Sequence, residues 1–360
     1  MNVESEDRLK FLRQKIDSLD EQILHLLNQR AQMALEVGRV KSETQTEAYN
    51  PQREEEILKR LESQNLGPFP QKAVSSVFRE IISASRSLEA ELTVVYLGPP
   101  ATHTHLAAIE RFGSSIQAFP TESIEEIFDT VERGKASFGV VPIENSTEGV
   151  VNRTLDMFIE SEVKICGEVL VRISHDLLSR SGRPEKIRKI YSHPQALGQC
   201  RQWLRKRFPQ IALSETTSTA RAAQLAVEDE EAAAVASSLA SPLYGLKVIE
   251  SRIEDYLHNY TRFLVLGRQM MERTGKDKTS LLFSISHSPG SLHEILKPFS
   301  AKAINLTKIE SRPIKNKPWE YVFFLDLEGH VTDLQVQEAL TEMKREVLFF
   351  KLLGSYPRSS

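Results

Sequence analysis

Along the first ninety residues, Leu9, Leu12, Ile16, Leu19, Ile23 and Leu26 recur alternately three and four positions apart, the seam of a long helix. The seam continues through Arg30, Met33 and Val37. A helix from about Glu6 to Thr44 would be roughly 58 Å long at about 1.5 Å per residue. Two shorter helices are predicted near Gln52–Gln64 and Gln71–Leu92. They are too short to cover a rod of that length. Its outer half is then either solvated or buried against a second copy of the chain, and the unbroken apolar seam favours the second copy.

From residue 93 to about 270 the pattern alternates. Leu92–Leu97, Ser137–Ile143 and Arg188–Tyr191 read as strands. Thr104–Phe112, Ser123–Gly134 and Gln195–Phe208 read as helices. Such alternation predicts an α/β domain with sites at strand ends and helix starts, and its length suits two lobes around a cleft. A polar, Gly-containing linker, Glu272–Thr279, follows. The stretch 279–354 then gives strand Ser280–Ser286, helix Gly290–Phe299, strands Asn305–Glu310 and Tyr321–Asp326, helix Thr332–Val347 with Thr332 as N-cap, and strand Leu348–Leu353. The order βαββαβ in so short a segment predicts a ferredoxin-like sandwich. The domains expected are therefore residues 1–92, 93–270 and 279–356.

Composition narrows the function classes. The 360 residues hold 46 Lys and Arg against 49 Asp and Glu, a net charge of -3, so no whole-chain basic footprint for nucleic acid exists and any cationic site must be local. Two cysteines, Cys166 and Cys200, make no disulfide framework, and no Cys/His cluster has metal-ligand spacing. The first twenty residues are charged where a secretory signal needs an apolar run. No apolar stretch approaches the ~18 residues of a membrane span. The expectation is a cytoplasmic protein of several domains without metal, membrane or nucleic-acid partners.

Arg30 stands in the seam where a Leu is expected. Lys41 follows about three turns later on the same face, and Arg13 lies at the edge of the stripe. One seam arginine commonly snorkels or pairs with a carboxylate. Three cations along one apolar face instead suggest a pocket for a small polyanion. The series Arg13, Arg30, Val37-Gly38, Lys41, Arg53-Glu54 resembles the all-helical chorismate mutases, intertwined dimers that share the long first helix. The resemblance implies that Arg13 of a partner chain and Arg30 hold the two substrate carboxylates. It implies further that Lys41 donates to the ether oxygen, and that Arg53, Glu54 and Ser85 line the substrate. Asn50 stands where an Asp often lies near the substrate hydroxyl. Glu89 aligns with a second ether-oxygen donor that is Gln in some members, and a carboxyl must be protonated to donate. The chemistry suits such a site. A pericyclic rearrangement needs a compact substrate geometry and positive charge where the ether oxygen turns negative, with no nucleophile.

In the middle segment four clusters fall at strand–helix junctions: Gly98–Thr104, Val141–Gly149, Ser192–Ala196 and Asn259–Phe263. Singly, each reads as a capped turn. Together, VPIENSTEGVVNRTLD and NYTRF resemble the prephenate dehydratases over residues 93–270. That family implies a two-lobed, periplasmic-binding-protein-like fold. Its cleft turns prephenate into phenylpyruvate with loss of carbon dioxide and hydroxide. By resemblance Thr261 donates to the leaving hydroxyl, Arg262 holds a carboxylate and Phe263 shapes the ring pocket. Thr102, Asn145 and Ser146 complete the lining, and Glu144 and His193 are relays for the proton. His103-Thr104 replace an aromatic-then-Ser pair.

In the last segment, Gly290-Ser291-Leu292 and Asn305 to Pro313, with Glu310, Ser311 and Arg312, resemble the phenylalanine-binding motifs of dehydratase regulatory domains, which pair with the ligand at their interface. Trp319-Glu320-Tyr321 also fits. The chain as a whole is similar to bifunctional chorismate mutase–prephenate dehydratases, expected to need no cofactor, to be inhibited by phenylalanine and to form a homodimer or larger assembly. An arogenate-preferring dehydratase and a non-catalytic amino-acid sensor are the rival readings.

Overall fold

The computed structural model describes residues 3–44, 49, 51–256, 258–286, 288–313 and 321–359. The chain divides into two compact units, Met1–Leu92 with Phe112–Gln117, and Thr93–Arg111 with Ala118–Ser360.

The first unit is built on the helix Val3–Thr44, with Pro51–Gln64 and Gln71–Glu89 as its shorter companions. The long helix meets Gln71–Glu89 only over its second half, so Leu9, Leu12, Ile16, Leu19, Ile23 and Leu26 are all about half exposed within the chain. Gly38 permits the close crossing of these helices. A Cβ there would stand 2.9 Å from the Glu89 Cα, tighter than packed side chains tolerate.

The second unit begins with two lobes. One is a six-stranded sheet in the order Gln117–Thr121, Thr93–Leu97, Phe138–Asn145, Tyr260–Gly267, Lys164–Arg172, with the short Gly149–Val150 paired to Phe138–Asn145. The other is five-stranded, in the order Lys247–Glu250, Asp176–Ser179, Ala232–Ala236, Lys189–Ser192, Ala212–Glu215. The chain crosses to the second lobe after Arg172 and returns at Tyr260, whose strand lies antiparallel between Phe138–Asn145 and Lys164–Arg172. Ala232–Ala236 is fully buried. Its Ala234 and Ala236 pack with Ala222, Ala223 and Ala226 of the helix Thr219–Glu228, which Ser218 caps by accepting from the Arg221 N–H at 3.0 Å. That strand is invisible to periodicity because alanine favours helix and both its faces are covered. The helix expected over Gln195–Phe208 breaks at Cys200 into Pro194–Gln199 and Arg201–Arg207. The break is held by the Asp255 carboxylate, which accepts from the backbone N–H groups of Gln202 and Trp203 at 2.8 and 3.0 Å.

The C-terminal sheet, in the order Leu306–Pro313, Tyr321–Glu328, Asp277–Ser284, Phe349–Pro357, carries helices Ser291–Ala301 and Leu334–Met343, the expected βαββαβ order. Its first strand in chain order starts at Asp277, inside the expected linker. Asp277 and Lys278 are buried despite their charge, because Thr274 and Gly275 donate to Asp277 and Lys278 donates to Glu168. The last helix also starts later than expected. Asp333 occupies the cap position, and Thr332 is bonded to His330 instead.

Candidate active sites

In the helical unit, Arg30, Lys41, Arg53, Glu54, Ser85 and Glu89 come together around a cavity of about 340 Å³, with Val37 and Ile82 among its apolar walls. Arg30 reaches across to the Ser85 hydroxyl. Burial pulls the Arg30 pKa down, and the Glu89 charge opposes that pull. Lys41 Nζ donates to Glu89 at 2.8 Å, so these two expected ether-oxygen donors are paired with each other. Arg86, which the sequence reading passed over, is almost fully buried. It pairs with Glu54 and lies 5.0 Å from the Tyr49 ring centroid. Its signal was the one used for Arg30, a cation four residues from Ile82 on an apolar stripe. Arg13 is exposed on the long helix, roughly 25 Å from Arg30 at about 1.5 Å per residue, and does not reach this pocket within the chain. Asn50 lies outside the described residues.

Between the two lobes lies a cleft of about 520 Å³, lined by Thr102, Asn145, His193 and Thr261 together with His103, His175, Gln199 and Thr217–Thr219. Asn145 is oriented by its neighbours. Its Oδ1 accepts from the backbone N–H groups of Thr147 and Glu148 at 2.9 and 3.0 Å. Its Nδ2 therefore points to Thr261 Oγ1 at 2.7 Å and to Asn259 Oδ1 at 2.9 Å. The first of these bonds uses a lone pair of Thr261 and leaves its O–H to donate. Ser146 is spent on the loop, accepting from Tyr260 N–H at 3.0 Å. Thr102 accepts from the His105 N–H at the start of helix His103–Phe112, and His193 does the same for Gln195.

Neither Lys nor Arg is found among the described residues lining this cleft. Burial, reinforced by His175, pushes the His103 pKa down to about 4, and burial also lowers that of His175, so both rings are neutral near pH 7. His175 Nε2 lies 2.8 Å from Gln199 Oε1. The backbone donors for an anion are the starts of helices His103–Phe112 and Thr219–Glu228. The Ser218-Thr219 helix start was legible as a capping pattern; His175 and Gln199 carried no pattern of their own.

Four expected lining residues lie elsewhere: Ser146, turned onto its loop, and Arg262, Glu144 and Phe263. Successive strand residues face opposite ways. With Thr261 and Asn145 in the cleft, Arg262 and Glu144 point to the other side of the sheet. There Arg262 donates to Glu168 and Asp326, and Glu144 pairs with Lys308 at 2.9 Å. Phe263 follows a register irregularity against Phe138–Asn145 and is buried in the core, away from the cleft.

In the C-terminal domain Gly290, Ser291 and Leu292 line a cavity of about 360 Å³ with Ser286, Tyr321 and Phe323. Gly290 has φ 88°, a left-handed conformation that glycine adopts without strain. Asn305, Glu310, Ser311, Arg312 and Pro313 do not line it. Arg312 instead donates to Asp156 at 2.9 Å. Trp319 and Glu320 lie outside the described residues.

Family models match three consecutive stretches: chorismate mutase type II at residues 12–90, prephenate dehydratase at 94–271 and the ACT domain at 279–344. A bifunctional chorismate mutase/prephenate dehydratase from Aquifex aeolicus is 49% identical over 98% of this chain and 99% of its own length. The chain belongs to that family. The bifunctional order of mutase, dehydratase and ACT domains agrees with the three textures of the sequence. Among solved structures, a prephenate dehydratase from Arthrobacter aurescens in complex with L-Phe is 35% identical, with TM-score 0.68 over 74% of this chain and 90% of that one. A protein described as a novel type of quorum quenching acylase, GqqA, is 28% identical, with TM-score 0.69 over 74% of this chain and 98% of that one. Among the described residues, no helix is long and apolar enough to cross a membrane, and no group of His, Cys, Asp and Glu could hold a metal ion.

Proposed function

We propose that this bifunctional family member converts chorismate to prephenate in the helical unit and prephenate to phenylpyruvate in the two-lobed cleft, with phenylalanine as inhibitor at the C-terminal domain. The observation that carries the reading is a pair of separate sites of different character on one chain.

In the helical pocket, Arg30 supplies a fixed charge for one carboxylate of the substrate and Lys41 a donor for the ether oxygen. Negative charge grows on that oxygen as the C–O bond breaks, so a cation there favours the transition state over the ground state. Lys41 must release Glu89 to do this. The half-exposed seam of the long helix supports a homodimer in which a second copy covers it and brings Arg13 to complete the pocket.

In the cleft, the substrate carboxylate leaves as carbon dioxide, its electron pair enters the ring, and hydroxide departs from the far side. Thr261 donates a hydrogen bond to that hydroxyl, held in place by Asn145, and aromatisation drives the step. A threonine is too weak an acid to lose its proton outright. Its O–H therefore stabilises the leaving oxygen by hydrogen bonding, and the departing hydroxide takes its proton from solvent. The pyruvyl carboxylate is held by the backbone N–H groups at the starts of helices His103–Phe112 and Thr219–Glu228 and by the hydroxyls of Ser218 and Thr219, the Thr102 hydroxyl being spent on the Leu97 carbonyl.

The test supplies chorismate to the full chain and follows prephenate and phenylpyruvate, with and without phenylalanine. Sequential appearance of both, slowed by phenylalanine at the second step, is the expected result. Arogenate turned over in preference to prephenate, or no turnover of either, would replace this reading with one of its rivals. A cytoplasmic location belongs to the same proposal.

A further inference from the structure

The central strand pair of the six-stranded sheet has two working faces. Register pairs Thr261 with Asn145 and Arg262 with Glu144. The first pair faces the cleft; the second faces the C-terminal sheet. Arg262 donates to Glu168 at 2.7 Å within its own sheet, and to Asp326 at 2.6 Å and the Tyr356 hydroxyl at 3.1 Å in the other. Asp326 and Tyr356 are fully buried. Glu144, beside Asn145, is held by Lys308 of the strand Leu306–Pro313. The sheets themselves are in contact: a Cβ on Gly354 would fall 2.2 Å from the Ile165 carbonyl oxygen.

The Arg262 side chain is 12% exposed, and a guanidinium shared by three acceptors has little freedom. Drawing Arg262 away from Asp326 leaves a fully buried carboxylate without its cationic partner, which costs far more than breaking a surface ion pair would. Any displacement of the C-terminal sheet must therefore drag Arg262 or break its contacts. Thr261 is the next residue on the same backbone. The strand that holds Asp326 begins at Tyr321, in the wall of the C-terminal cavity.

We propose that Arg262 is a positioning residue, whose contacts with Asp326 and Tyr356 set the placement of Thr261 from behind the sheet. Ligand in the C-terminal cavity changes dehydratase turnover by shifting this cluster. The second half of the proposal rests on the reading of that cavity as the phenylalanine site. Coupling of this kind requires that the ligand bind the two arrangements unequally, and the cluster between the sheets is the element with two arrangements, made and broken.

The test uses the full chain carrying Asp326→Asn, Tyr356→Phe or Lys308→Met. Prephenate kinetics are measured with and without saturating phenylalanine, phenylalanine binding by calorimetry, and mutase turnover on the same sample as the check of folding. Asp326→Asn and Tyr356→Phe are expected to lower dehydratase kcat at least fivefold with KM within threefold. All three variants should still bind phenylalanine, yet lose at least half of the inhibition it causes in the unaltered protein. Should a variant not fold, the other two decide by the same ratios. Folded variants with unaltered kcat and unaltered inhibition would overturn the proposal. Absence of phenylalanine binding to the unaltered protein would instead remove the effector reading, leaving the kcat comparison to decide the positioning role.

Discussion

The pocket among the N-terminal helices presents Arg30, Lys41, Arg53 and Arg86 against two carboxylates, whereas the cleft between the lobes presents hydroxyls, amides, imidazoles and one carboxylate, Glu148, with no Lys or Arg among its described lining residues. Both are proposed to take closely related dianions, so the contrast lies in what each reaction needs. The rearrangement keeps both carboxylates and builds charge on an oxygen. Fixed cations serve both ends of that task. The elimination discharges one carboxylate as carbon dioxide. A cation paired to that group would hold it back, since it would stabilise the starting acid more than the transition state. Neutral donors bind without that penalty.

The largest effect expected is at the cationic end. Lys41→Ala should lower mutase kcat at least several hundredfold, on the order of 3–4 kcal/mol, while prephenate is still dehydrated at the unaltered rate. Retention of mutase turnover within tenfold would mean that the ether oxygen is served by another group. The cleft should respond almost as strongly to Thr261→Val. Dehydratase turnover is expected to drop about a hundredfold, a typical loss for a donor to a leaving group, and Thr261→Ser should recover much of it.

A smaller effect separates the two regions by pH. The folded-state pKa of His103 is about 4 against an ordinary 6.5. Between those values the unfolded chain binds the proton more readily than the folded one, so folding stability contributed by the neutral ring is present above pH 6.5 and declines as pH falls toward 4. Thermal unfolding followed from pH 7 to pH 4.5 should show this loss, and His103→Phe should reduce it. Parallel curves for the two proteins would place the acid sensitivity elsewhere.

How much was legible in the sequence differs between these regions for a physical reason. A charge in an apolar seam breaks a helical pattern, so Arg30 and Lys41 could be read without a structure, and Arg86 could have been. In the cleft, short polar residues at strand ends look alike whether they cap a helix or face a substrate. Asn145 and Thr261 stood out through their family motif, while His175 and Gln199 had nothing to mark them. Strand alternation was the information left unused: with Thr261 in the cleft, Arg262 had to face away, as did Glu144 beside Asn145. The fold itself was largely visible through periodicity. Its misreadings fell where tertiary contacts override local signals, at the alanine-rich buried strand, at the helix break capped by Asp255, and at the charged but paired start of the C-terminal sheet.

The division of labour between a cationic pocket and a cleft lined without Lys or Arg is tested most directly by feeding chorismate to the Thr261→Val protein and following prephenate over time. Prephenate should accumulate at the rate the unaltered protein forms it, with phenylpyruvate nearly absent. Loss of chorismate consumption in parallel with phenylpyruvate would contradict the account, because one substitution in the cleft would then have silenced both chemistries.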